Sequence, residues 1–509
     1  MGPNISTHST YLPGSGSPNN DLRCPSLDKG LRRQQPHSYT ARPSKESTEY
    51  RPQEDCRRLY SLGVIALLAE IFGFKKLLYP VVLLGLITTF ILNLVDWNNS
   101  DNLYYGMMRY DNYAVAFSSV LIGITFLWFI MSEGFFKEET SLTDHFALIL
   151  FALAGGVIMV SYTNMTMLFL GIEILSIPMY VLAGSKKDDV ASNEAGFKYL
   201  IMGAFATGFL LFGITLIYGS TASFDLSAIA DFVSSHQGTI PVMFYVGVLL
   251  MMVGLAFKVS AAPFHFWAPD VYQGAPTPIT AFMATVVKTA AFAAFLRLFS
   301  GAFAGVGGIW TEVLCVMAAL TLLTGNITAV LQSSAKRMLA YSSIAHAGYM
   351  LLALVALNQF SQSSILFYTL AYSIGSIASF GVLSAVATAR GNDAVDSFNG
   401  LAKSNPLLAF AMTVAVLSLA GIPPTAGFFA KYYIFTAAFQ AGYGWLVLIA
   451  ILASLIGVYY YFRIIIAMYF KQGPEEKIEI SFNHKLLFVI TILLTIALGI
   501  MPEFIIRLL

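Results

Sequence analysis

What most constrains this chain is the length of its apolar runs. From Ser61 to the C-terminus, stretches of some 18 to 28 apolar residues follow one another with short polar breaks between them. A bilayer core about 30 Å thick needs roughly 20 such residues per helix. Composition agrees: 57% of the 509 residues are hydrophobic and 11% are charged, against about 25% charged in soluble domains. The expected fold is an all-α membrane protein of about fourteen transmembrane helices. The spans are placed near residues 59–74, 77–95, 113–131, 144–160, 163–184, 194–219, 241–262, 276–300, 308–331, 337–357, 362–389, 406–439, 442–470 and 484–507.

Several function classes drop out. Net charge is +1, so the chain as a whole carries no basic signature for nucleic acid. Cys24, Cys56 and Cys315 form neither a paired framework nor a metal-ligand spacing, and none of the seven histidines sits in an HxxxH pattern. No Walker loop occurs, nor a GxGxxG after a strand, so no metal or nucleotide cofactor is expected on this chain. The stretch Gly301 to Gly308 reads as a short loop between two spans.

Residues 1–58 belong to another composition class, rich in Ser, Pro, Asn, Gln and Arg. Such a segment buries too little apolar surface to fold and is expected to be a disordered or non-native leader, with residues 59–509 as the transmembrane domain. Loop charges orient that domain. Odd-numbered spans are followed by twelve basic residues, Lys75, Lys76, Lys137, Lys186, Lys187, Lys336, Arg337, Arg390, Lys403, Lys471, Lys477 and Lys485. Even-numbered spans are followed only by Arg109, Arg297 and Arg507. The positive-inside rule puts the twelve in the cytoplasm and both termini on the outer, periplasmic side. The nine Lys and Arg of the leader conflict with that placement. The leader is therefore read as a wrongly assigned start or a replacement of the true beginning of the first helix, the alternative being a tolerated tail.

Ionisable groups in mid-membrane cost about 2.5–3.5 kcal/mol each on insertion scales and mark function. Glu173 lies well inside the fifth span, Lys258 late in the seventh, Lys288 at the centre of the eighth, and Lys431 in the twelfth. A lysine near a span end can snorkel to the interface instead; this explains Lys288 least well and Lys198, close to the start of the sixth span, as well as function does. Arg463 reads as interfacial.

Prolines sharpen the pattern. Pro263 follows Lys258 by five residues and breaks the bond to the carbonyl of Val259. Pro423 and Pro424 free the carbonyls of Leu419 and Ala420, and Lys431 follows Pro424 by two turns. Broken spans are tolerated only in packed protein or beside a watery cavity. Glu173 to Lys258 and His346 to Lys431 are both intervals of 85 residues. With the matched breaks, this suggests two inverted five-helix repeats, spans 4–8 and 9–13, with discontinuous helices 7 and 12. Burial disfavours a charged lysine and a nearby carboxylate favours it, so moving Glu173 relative to Lys258 would load or unload a proton, and Lys288 would pass it to Lys431. His265 and His346 are secondary candidates that could bridge gaps with water; a structural role is as good a reading of either.

The stretch GLAFKVSAAPFHFWAPDVYQGAPTPITAFMATVVKTAAF (residues 254–292) resembles the core of the antiporter-like subunit N, or subunit 2, family of NADH-quinone oxidoreductase, respiratory complex I. LFLGIEILSIPMYVL around Glu173, NITAVLQSSAKRMLAYSSIAHAGYM around His346 and SLAGIPPTAGFFAKYY around Lys431 agree with it, from about residue 60 onward. The resemblance implies that Glu173, Lys258, Lys288 and Lys431 match that family's proton path. It implies partner subunits, membrane and peripheral, that hold NADH, FMN, iron–sulfur clusters and quinone, and a multi-pass place in a bacterial inner membrane. A cation/proton (Na+/H+) antiporter or a related hydrogenase-type complex is the alternative, and a purely structural scaffold is a weaker one.

Overall fold

The computed structural model describes residues 54–73, 75–138 and 142–509. Of the leader expected over 1–58, all but 54–58 lies outside the described residues, and those five open the first helix. That helix is Glu54–Ile71, eighteen residues rather than the short 59–74 expected. Composition marks where a span leaves the oil, whereas the helix runs on as long as its backbone bonds continue.

The spans follow in the expected order. The second to sixth are Lys75–Val95, Asn112–Met131, Leu142–Ser161, Met165–Ala183 and Val190–Thr221. The seventh is in two halves, Val242–Val259 and Trp267–Gly274. The eighth runs from Thr277 to Ser300 through a π-helical turn, Met283–Val287. The ninth to eleventh are Gly307–Val330, Ala335–Ala356 and Ser361–Arg390. The twelfth is again in two halves, Pro406–Ala420 and Ala426–Gln440, and Gly444–Phe470 and Phe482–Ile500 complete the fourteen. Between the second and third spans sits a hairpin of two strands, Asp101–Leu103 and Met108–Tyr110.

Polar contacts sort the loops into two sets, as alternating spans require. At one end, Asp270 after the break of the seventh span binds Lys198 and Arg337, Asp396 binds Lys471, and Glu133 accepts bonds from Ser481 and Asn483. All these follow odd-numbered spans or flank them. At the other end Arg297 pairs with Asp111 at 2.6 Å, and Asn164 donates to Asp225 at 2.5 Å. No basic loop residue of one set touches an acidic residue of the other among the described ion pairs.

Both breaks close on the same local motif. The first half of the seventh span ends with Ser260 in the left-handed region (φ 61°); its N–H bonds to Phe257 O, and that of Ala261 to Ala256 O. In the twelfth span Gly421 (φ 83°) bonds to Ser418 O and Ile422 to Leu417 O. Each is a Schellman turn, which caps carbonyls that would otherwise be bare in hydrocarbon. The bundle centres on the eighth span, wholly buried along its apolar length, and the tenth, nearly so.

Two helix pairs pack by backbone contact. A Cβ at Gly155 would lie 2.5 Å from the backbone nitrogen of Leu175, and one at Gly325 would lie 2.5 Å from that of Ala345. Small residues at such crossings let membrane helices approach closely. Replacing Gly325 by Leu should lower stability by about 1–3 kcal/mol through overpacking. Thermal melting of the purified protein checks this, with lipid-facing Ile327→Leu as the control; equal melting of the two variants would refute the tight crossing.

Candidate functional site

Lys258 is the next-to-last residue of the first half of the seventh span and is 5% exposed. Its ammonium donates to Ser176 Oγ at 2.7 Å and Tyr180 OH at 3.2 Å. Both acceptors come from the fifth span, three and seven residues after Glu173. That spacing puts Glu173, Ser176 and Tyr180 on one helix face. Glu173 itself is half-buried, and its Oε1 has no hydrogen-bond partner. No described ion pair joins it to Lys258, so hydroxyls hold the lysine on the face that carries the carboxylate.

Lys288 opens the last segment of the eighth span directly after the π-helical turn. Its side chain runs sideways into the protein, 2% exposed, and donates to Ser343 O at 2.7 Å and Ser343 Oγ at 2.5 Å. A snorkelling lysine would end in water, and this one ends on the tenth span. Lys431, 7% exposed, donates to Ala420 O at 2.7 Å and Ser454 Oγ at 2.8 Å, and sits 4.8 Å above the ring of Tyr349. Ala420 O is the carbonyl that Pro424 frees. Gly421 leaves room for this reach, since a Cβ there would lie 2.8 Å from Lys431 Cδ.

The tenth span ties the second and third lysines together. Ser343, His346 and Tyr349 succeed one another at intervals of three, so each neighbours the next while the series winds about 120° round the helix from first to last. Ser343 holds Lys288 and Tyr349 lies under Lys431. Between them His346 bonds through Nδ1 to Tyr368 OH at 2.7 Å and through Nε2 to Tyr461 OH at 3.2 Å, and Tyr461 bonds on to Ser342. Six residues of helix rise about 9 Å, which separates the contact with Lys288 from the contact with Lys431 along the tenth span.

Each lysine meets two hydrogen-bonding acceptors, all neutral. An ammonium carries three hydrogens and a neutral amine two. Two acceptors satisfy the amine in full and hold the ammonium as well, which suits a group that gains and loses a proton in place.

Lys198 and His265 stand apart from this line. Lys198 is 38% exposed and paired with Glu194 at 2.6 Å and Asp270 at 3.0 Å, at the end lined by the basic loops. His265 sits in the break of the seventh span, with Nδ1 unpartnered and its ring 4.5 Å from that of Phe266. Arg463 donates to Val330 O near the end of the ninth span. Sequence reasoning did not name Ser176, Tyr180, Ser343, Tyr349, Ser454 or Tyr461. For the first two a signal existed, namely hydroxyls three and seven residues after a buried carboxylate.

Comparison with known proteins covers the whole site. Residues 162–457 match the family described as NADH:quinone oxidoreductase/Mrp antiporter, transmembrane. NADH-quinone oxidoreductase subunit N of Cytophaga hutchinsonii is 45% identical over 448 residues, 88% of this chain and 97% of its own. A chain of respiratory complex I from Thermus thermophilus is 31% identical with a TM-score of 0.76, over 89% of this chain and 98% of that one. A chain of the membrane-bound sulfane sulfur reductase, an archaeal respiratory membrane complex, is 27% identical with a TM-score of 0.79, over 89% and 96%.

Ser343→Ala should cost about 1–3 kcal/mol, because a buried lysine loses its only side-chain acceptor among the described residues. Ser300→Ala, whose hydroxyl bonds only its own helix, should cost less. Comparing the two melting curves tests the assignment, and equal curves would contradict it.

Proposed function

The chain belongs to the NADH:quinone oxidoreductase/Mrp antiporter family of membrane subunits, and on that premise we propose that it is the proton-translocating subunit N of the membrane arm of an NADH-quinone oxidoreductase. Electrons pass from NADH to quinone on partner subunits, which hold the flavin and iron–sulfur clusters; this chain supplies a path for protons. The observation that supports this reading best is the set of three buried lysines held by neutral acceptors, two of them contacted by the tenth span.

In this reading Glu173 and Lys258 form the loading end. Side-chain rotation moves Lys258 between the Ser176 and Tyr180 hydroxyls and the carboxylate one turn away on the same face. Next to the carboxylate the ammonium is favoured; away from it the proton is released inward. Lys288 receives it, and the Ser343–His346–Tyr349 series carries it to Lys431. Lys258 precedes its break and Lys431 follows its own. The seventh and twelfth spans run in opposite directions, so both lysines occupy the half facing the sparsely charged end.

The chain sits in the inner membrane of a bacterium, with the twelve basic loop residues in the cytoplasm and the C-terminus outside. Single cysteines introduced for Lys477 and His236 into a chain whose own cysteines are removed should be modified from opposite sides by an impermeant thiol reagent. Modification of both from one side would overturn that topology.

Lys258→Ala or Glu173→Ala should abolish proton pumping through this subunit while the complex still assembles, read as dye quenching in membrane vesicles supplied with NADH. Unchanged pumping in both variants would remove these residues from the path. Purification with a large NADH-oxidising assembly supports the complex I reading. Purification with sodium-transport partners alone would replace it with the antiporter reading.

A further inference from the structure

The faces described so far leave one interval open. The fifth span serves Lys258 and the tenth serves Lys288 and Lys431, but neither joins Lys258 to Lys288. Tyr272 stands in that interval. It lies on the second half of the seventh span, is 1% exposed, and sets its hydroxyl beside the hydroxyls of Ser260 and Ser343. Ser343 Oγ is the acceptor of Lys288. Ser260 is the left-handed residue that closes the Lys258 helix, two positions beyond that lysine, and its Oγ is buried with no hydrogen bond formed.

We propose that Tyr272 is the relay residue that carries protons from the Lys258 side of the path to Lys288. The inference rests on the proton-translocating reading above. A phenol hydroxyl donates and accepts at once. An N–H bond of the Lys258 ammonium breaks and the proton passes through a water molecule and the Ser260 hydroxyl to the Tyr272 oxygen. The phenol's own proton moves to Ser343 Oγ, and the hydrogen displaced from that hydroxyl goes to the lone pair of the Lys288 amine. One N–H bond is lost and one is gained, every oxygen ends neutral, and a single positive charge has moved from one lysine to the next. Rotation of the hydroxyls then resets the chain.

The half-helix that carries Tyr272 is held on several sides, so the hydroxyl keeps its place. Lys336 Nζ donates to Gln273 O at 2.9 Å and Ala275 O at 2.5 Å, capping the helix end. Thr280 Oγ1 donates to the Tyr272 carbonyl at 2.8 Å, and Trp267 Nε1 reaches back to Phe257 O at 3.0 Å. Placement of this kind, fixed by a supporting shell, is what a relay group needs. A purely packing role would be met equally by phenylalanine.

Tyr272→Phe in the intact complex separates the two roles. Assembly should be unchanged, and proton translocation per NADH oxidised should fall by at least half of the loss produced by Lys258→Ala. Full pumping in Tyr272→Phe beside lost pumping in Lys258→Ala would overturn the relay and leave the proposed function standing. Full pumping in both would overturn the function and the relay together. If Tyr272→Phe fails to assemble, Ser260→Gly decides. Glycine accepts the left-handed backbone and removes only an unpartnered hydroxyl, so reduced pumping supports the relay and unchanged pumping overturns it.

Discussion

A peptide carbonyl without a donor cannot stay bare in hydrocarbon, and this fold is organised around the places where its helices create such carbonyls. Pro423 and Pro424 stop the twelfth span in mid-bundle, and the amine of Lys431 takes the carbonyl of Ala420. In the seventh span, Trp267 Nε1 takes Phe257 O, and Thr321 Oγ1 accepts from Ala262 N–H. The breaks thus do two things at once. They expose polar backbone where only a protein donor can answer it, and each has a buried lysine close by: Lys431 answers its own break, whereas Trp267 answers that of the seventh span and leaves Lys258 to the hydroxyls of the fifth.

Much of this was written in the amino-acid order. Hydrocarbon thickness leaves little freedom in span length, so apolar runs located the helices in order, and twelve among the described residues are long and apolar enough to cross a membrane. Proline chemistry located both breaks and named Ala420 as one of two freed carbonyls, the one that Lys431 takes. Span ends were less legible: the first helix begins at Glu54 because backbone bonding continues through polar residues. Side-chain partners were least legible. Ser176, Ser343 and Ser454 are ordinary serines in ordinary helical runs, and only the crossing of distant spans makes them lysine acceptors. Lys198 fits two readings in the sequence because Asp270, one of its two carboxylate partners, lies 72 residues away. The structure places it in an ion-pair cluster at the edge of the bundle.

The two halves of the chain share devices that their sequences express differently. Each has a close glycine crossing, Gly155 of the fourth span against the fifth and Gly325 of the ninth against the tenth. Each has a Schellman turn at its break, built on Ser260 in one and Gly421 in the other. In each, a polar residue is followed three positions later by one that touches the lysine: Glu173 then Ser176 for Lys258, His346 then Tyr349 for Lys431. A carboxylate in one half stands where an imidazole stands in the other. One lysine therefore has an anion within reach of a side-chain rotation, and the other has a base that is neutral or cationic.

The π-helical turn at Met283–Val287 has a consequence for how the eighth span could evolve or be re-engineered. A π turn is an α-helix carrying one surplus residue. It rotates everything downstream by about 100° relative to everything upstream. The upstream segment keeps its packing against the eleventh span while the downstream segment aims Lys288 at Ser343. Were the same five residues to continue as a regular α-helix, composition and hydropathy would be unchanged, yet the central lysine of the bundle would swing about 100° away from its acceptor.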